Sequence, residues 1–387
     1  MASALTVKPD RSNRNRKDTP SIAIAMGGEL HKSLICFLQC AFGLMLGTEL
    51  VFSRLRSYGK ALVITTLTQS LGTFVVVSLV FALVFAAKGV PVFLAPVLGS
   101  IALATAPAPA LSVVREFHTK GPVTDTLLPM PVFDDVVGIV VFFTVNAITA
   151  RRVAGGSLPL YMIPVMIFLP IAIGLVPGFL FGALLKKPLG HAASLTVLVA
   201  GIAACTLLGM LFNRMMRGVT LNYMLMGVSF TAVFSNMADE KRLSQLVTWF
   251  NPILGFALLA CIVDLGAPLD VHRILGASLY TFVYIASRAA GKYFGARFGA
   301  MATHMPETVQ KYLGLTLLPH SGVSLVFTGI AEPEFTGVIQ GTIAAAAVIN
   351  EIIAVITAKK GFALAGEIPG NGGRRSAAAD GKAESAS

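Results

Sequence analysis

The sequence predicts an all-α polytopic membrane protein built from inverted repeats, and three observations carry that prediction. The chain of 387 residues is 55% hydrophobic and only 13% charged, with a mean hydropathy of +0.77. That is about half the charged share of a soluble domain. Eleven apolar segments follow one another, each near the roughly 20 residues a helix needs to cross about 30 Å of hydrocarbon. Two of them, the third and the tenth, are interrupted by proline near their middles.

Residues 1–32 read as a polar, basic N-terminal tail. The stretch up to Lys17 contains RSNRNRK and has neither the apolar core nor the small-residue cleavage site of a signal peptide. The apolar segments then run 33–52, 61–87, 92–114, 127–149, 158–184, 190–212, 219–237, 246–265, 274–298, 309–331 and 334–358. From 359 to 387 the chain is polar and rich in glycine and alanine, the composition of a disordered tail. A net charge of +11 would point to nucleic acid in a soluble protein. Here the basic residues gather in short connections and tails, as membrane topology requires, so no nucleic-acid function is read from them. Cys36, Cys40, Cys205 and Cys261 all fall in apolar runs, where cysteine behaves as a small buried hydrophobe, and neither redox chemistry nor a cofactor is expected.

Loop charges orient the array. Arg54, Arg56 and Lys60 follow the first segment, Lys186 and Lys187 the fifth, and Lys359 and Lys360 the last, whereas Glu332 and Glu334 precede the last. The positive-inside bias therefore puts the connections after odd-numbered segments, and the C-terminus, in the cytoplasm. Arg151, Arg152, Arg214, Arg217 and the basic N-terminal tail then fall outside, against the same bias.

The two interruptions read Thr105-Ala106-Pro107-Ala108-Pro109 and Pro319-His320-Ser321-Gly322. Proline removes a backbone donor and clashes with the preceding turn, so each helix is expected to unwind there. In this orientation the third segment runs inward and the tenth outward. Broken helices in corresponding, inverted positions of two halves point to a secondary transporter with its ion site where the half-helix ends meet. The broken helix is fourth of five in segments seven to eleven and third of four in segments one to four. The first repeat is thus expected to lack its opening span.

Asp134 and Asp135 sit in the otherwise apolar stretch MPVFDDVVGIVVFFTVNAI at 130–148, about 10 Å or more inside the hydrocarbon. Charge at that depth is costly, and by default it faces a water-filled cavity or a partner. Burial disfavours the ionised carboxylate, so such a group can hold a proton near neutral pH and surrender it to a cation such as sodium. Arg288 lies within the ninth segment, where a buried guanidinium needs an acid, and Asp134 is the natural candidate. Lys292, one turn on, reads as snorkelling to the interface. Glu49 and Glu351 are placed toward helix ends, and with Asp264, Asp270, His118, His191 and His304 they are given no role. An intramembrane aspartyl protease would need its two aspartates on different helices; adjacent residues on one helix point about 100° apart.

The pieces FDDVVGIVVF at 133–142, LATAPAPALSVVREFHTKG at 103–121, SRAAGKYFGARFGA at 287–300 and LGLTLLPHSGVSLVF at 313–327, with GTEL at 47–50, together resemble the monovalent cation/proton antiporters, in the branch with paired aspartates. The resemblance spans most of 33–358. It implies that Asp135 binds the cation or the proton in competition, that Asp134 pairs with a base aligning with Arg288, and that Thr105, Ala106, Pro107, Pro319, His320, Ser321 and Gly322 form the interrupted-helix contacts. It further implies moving core helices at about 61–149 and 274–358, scaffold helices at about 33–52 and 190–265, and a homodimer in the inner (plasma) membrane. One departure stands out: the family's first broken helix has an aspartate after the threonine, where this chain has Ala106. The expected function is exchange of Na⁺ or Li⁺ for protons across the bilayer, a transporter's task and not an enzyme's. K⁺/H⁺ exchange or a truncated, inactive or channel-like relative are the alternatives.

Overall fold

The computed structural model describes residues 28–48, 50–53, 59–153, 162–215, 221–266, 278–321, 324, 327–328 and 336–369. The expected tails before residue 28 and beyond 369 lie outside the described residues. So do Gly322, Glu49, Arg54, Arg56, Arg217, Asp270, Glu332 and Glu334.

Among the described residues the regular structure is helical. The helices are α1 (Gly28–Gly47), α2 (Lys60–Lys88), α3 (Ala95–Ile101), α4 (Pro107–Phe117), α5 (Pro122–Leu127), α6 (Met130–Val153), α7 (Met162–Leu185), α8 (His191–Met215), α9 (Tyr223–Met237), α10 (Glu240–Gly266), α11 (Ser278–Ala302), α12 (Glu307–Thr316) and α13 (Thr336–Ala365). Each of the eleven apolar segments contains helix. Five stretches are both long and apolar enough to cross a bilayer: Lys60–Lys88, Phe133–Arg152, Pro164–Leu185, His191–Met215 and Ile339–Ala365. The third segment is divided into α3 and α4, as its prolines require: Pro107 opens α4, where its missing donor costs nothing. The fourth is divided as well, because Leu128-Pro129 separates α5 from α6, so Asp134 and Asp135 fall in the second turn of α6. Glu351, expected near a helix end, lies midway along α13.

Local chemistry sets several ends. Asn222 caps α9 by accepting from the Leu225 amide at 2.9 Å. Gly89, at φ 69°, closes α2 in the left-handed conformation that glycine adopts without a Cβ penalty.

Packing sorts the helices into two groups. One holds α2 to α6 with α11 to α13; the other holds α1 and α7 to α10. The groups meet where α6 touches α1 and α7. Within the first group α2 and α11 lie antiparallel in the most intimate contact of the fold, and glycine spacing explains it. A Cβ on Gly291 would lie 2.6 Å from Thr73 Cα, one on Gly295 2.8 Å from Gln69 Cα, and one on Gly299 2.7 Å from Thr65 Cα. Small residues every four positions let membrane helices approach backbone to backbone. In the second group Gly227 plays this part, where a Cβ would meet the Cys40 carbonyl at 1.9 Å. Cys36, Cys40 and Cys205 are buried in that group's core and form no disulfide among the described residues.

Candidate functional site at the crossed helix breaks

The two interruptions cross. Residues 102–106 run from the end of α3 to the start of α4, and 317–321 continue from the end of α12. Thr105 and His320 form an isolated antiparallel bridge, and the Ala106 amide donates to the Pro319 carbonyl at 3.4 Å. Unwinding leaves carbonyls at the C-terminal ends of two half-helices without intrahelical donors, and helix ends of this kind carry about half a negative charge each.

Two cations from α11 meet those carbonyls. Arg288, 1% exposed, donates from Nε to Ala102 O (3.0 Å), from Nη1 to Leu318 O (2.5 Å), and from Nη2 to Ala104 O (2.9 Å) and Pro319 O (3.0 Å). Its planar fork thus clamps both breaks at once, a task for guanidinium and not for ammonium. Lys292, one turn on and fully buried, donates to Leu103 O (2.5 Å) and Thr105 Oγ1 (2.7 Å), and pairs with Asp134 Oδ2 at 3.1 Å.

Asp134 is correspondingly surrounded by donors. Ser70 Oγ donates to Oδ1 at 2.5 Å and Thr105 Oγ1 to Oδ2 at 2.7 Å. With the Gln69 amide oriented to satisfy its neighbours, its nitrogen lies 2.8 Å from Oδ1 and its oxygen 2.6 Å from Lys292 Nζ. A cation and three neutral donors fix this buried carboxyl group in place through charge-assisted hydrogen bonds. Asp135, the next residue, points about 100° further round α6 and is 5% exposed. The stretch also holds His320, whose Nε2 lies 3.0 Å from Tyr284 Oη, and Ser321; each is 3% exposed. Ala106 precedes α4 without any side-chain cap, so the half-helix has no carboxylate at its N-terminus.

Two expectations are corrected. The cation paired with Asp134 is Lys292, because Arg288 has given its donors to backbone carbonyls. Lys292 does not snorkel: close packing of α2 on α11 leaves its ammonium facing Gln69 and Asp134. Gln69 and Ser70 were missed altogether. Their signal was present in the polar stripe Thr65, Thr66, Gln69, Ser70 and Thr73, all fully buried in an otherwise apolar α2. Among the described residues no cluster of three or more His, Cys, Asp or Glu side chains could hold a metal ion.

Comparisons with known proteins place this geometry in context. A family model described as sodium/hydrogen exchanger, transmembrane, matches residues 43–360. No curated protein matches the chain by sequence. The fold is similar to that of the sodium/proton antiporter MjNhaP1 from Methanocaldococcus jannaschii at pH 8, with a TM-score of 0.65 and 18% identity. That match covers 91% of this chain and 88% of the other.

Proposed function

The chain belongs to the sodium/hydrogen exchanger family, a family of multi-pass membrane cation/proton antiporters, and on that premise we propose that it exchanges Na⁺ or Li⁺ for protons at Asp135. The observation that carries this reading is the Asp134–Lys292 pair at the crossing, 3.1 Å apart and excluded from solvent, with a second buried aspartate, 5% exposed, next to it on α6. Two adjacent carboxylates on one helix would normally share one fate. Here Lys292 and three neutral donors engage Asp134 as a fixed element of the site, and the exchanged charge is assigned to Asp135.

Proton and cation compete for Asp135. The bound proton neutralises a carboxylate that burial disfavours as an ion, and an arriving sodium ion favours the ionised form and releases the proton. Oxygens from Thr105 and from the 319–321 stretch complete the cation's shell, and Arg288 holds both stretches in register. The group α2 to α6 with α11 to α13 carries the site and moves against the scaffold of α1 and α7 to α10, opening Asp135 to either side in turn. The protein works as a homodimer in the plasma membrane with its C-terminus in the cytoplasm, the side to which Lys359 and Lys360 assign it.

The test is proton movement in everted vesicles carrying the chain, after addition of Na⁺, Li⁺ or K⁺, beside Asp135→Asn. Cation-evoked alkalinisation of an acidified lumen, ranked Na⁺ or Li⁺ above K⁺ and lost in the variant, is expected. A well-inserted protein that gives no response sinks the reading.

A further inference from the structure

One ionisable group at membrane depth takes no part in the crossing. Glu351 is midway along α13 and exposed at the surface of the fold. On the same face are Val348 (67% exposed), Ile352 (66%), Val355 and Ile356, all aliphatic. The opposite stripe, Ile339, Ile343, Ala346, Asn350, Ala354 and Ala358, is the one that packs. Lys359 and Lys360 mark the end of the apolar stretch about 12 Å further along the axis. Glu351 therefore projects toward acyl chains, where a charged side chain is costly and the neutral acid far less so.

Among the described residues no hydrogen bond or ion pair engages Glu351. Of the charged groups on the helices packed against α13, Arg288 of α11 is the one whose field reaches Glu351, and its donors are already given to four carbonyls. Lys292 is paired with Asp134. Arg297 of α11, Glu307 and Lys311 of α12, Arg115 and Glu116 of α4, and Asp125 of α5 lie toward the ends or connections that the orientation above puts on the cytoplasmic side.

We propose that Glu351 is a second titrating acid of the exchange cycle: it rides through hydrocarbon as the neutral acid on the moving core and ionises when the inward position brings it to the cytoplasmic headgroups. This rests on the exchange reading and on the inward orientation of the C-terminus. The two positions of the core then differ in proton affinity, the outward one binding the Glu351 proton more tightly. By linkage the outward position is favoured at low pH and loses ground as pH rises, so outward return slows in alkaline medium. A difference of one unit between the two positions is worth tenfold in the equilibrium.

Two readouts decide it. Dicyclohexylcarbodiimide partitions into lipid and adds to protonated carboxyls. The carboxyl oxygen bonds to the carbodiimide carbon while its proton passes to a nitrogen, and an acyl shift leaves a stable N-acylurea. In proteoliposomes, peptide mass spectrometry is expected to find Glu351 labelled at about pH 6.5, less at about pH 9, and not at all in Glu351→Gln. An unlabelled Glu351 overturns the proposal. In vesicles, the exchange rate of Glu351→Gln relative to wild type is expected to be near one at about pH 6 and to rise to about tenfold by about pH 9, while a flat ratio overturns the titrating role. Absence of exchange by the wild-type chain is a failure of the exchange reading itself and takes the coupling with it; labelling is read without flux and keeps the two failures apart.

Discussion

Replacing Lys292 by glutamine tests the part of the site that is easiest to weigh. Lys292 and Asp134 are both fully excluded from solvent, at 3.1 Å. Removing one partner of such a pair leaves an uncompensated buried charge, at a cost of about 3–5 kcal/mol. The deficit is therefore about 4 kcal/mol, with some addition for the bonds lost at Leu103 O and Thr105 Oγ1. Thermal unfolding of the detergent-solubilised protein reads this directly, for wild type, Lys292→Gln, Asp134→Asn and the double variant. The double variant is expected to recover most of the loss, because no unpaired charge remains. Additive losses in the double variant, or a Lys292→Gln melting profile like that of the wild type, would refute the reasoning.

Three further outcomes follow from the same packing. Gly295→Val places side-chain atoms where a Cβ alone is already 2.8 Å from Gln69 Cα, so α2 and α11 must separate and folded protein is expected to be lost, while Gly255→Ala, which meets nothing within 4 Å, leaves yield unchanged in a fluorescence size-exclusion assay. Arg288→Lys keeps the charge but not the fork that reaches four carbonyls, so a loss of about 2–3 kcal/mol in thermal unfolding is expected, and an unchanged melting profile would contradict the clamp. Glu367 accepts from the amides of Val123 (2.6 Å) and Thr124 (2.9 Å) and from the Thr124 hydroxyl, pinning the end of the last helix to the connection that leads into α6; Glu367→Ala is expected to cost about 1–3 kcal/mol and to speed proteolysis around residues 118–124.

The helices and their breaks could be read from the sequence because hydropathy and proline act locally. Pro107 and Pro109 stop α3 from continuing whatever surrounds them, and eleven apolar runs need no knowledge of their neighbours to be recognised. The pairing of charges could not be read in this way. Arg288 and Lys292 are one turn apart on the same face of α11, and nothing local says which of them meets Asp134. That choice is made by the glycines at 291, 295 and 299, which draw α2 close enough for Gln69 and Ser70 to join the site, and by the carbonyls of two distant breaks that absorb the guanidinium. Glu351 was misplaced for a related reason: the helix that contains it continues past Lys359 and Lys360 to Ala365, which shifts its midpoint. At Ala106, read from the sequence as a departure, the structure gives α4 neither a side-chain cap nor an acidic residue in its first turn.

The central claim is that a cation and a proton compete at Asp135, and proton release from the purified protein tests it most directly. Na⁺ added to the detergent-solubilised chain in a weakly buffered medium is expected to release protons in a saturable way and to release none from Asp135→Asn that still folds. Equal release by the variant would contradict the account and place the exchanged proton on another group.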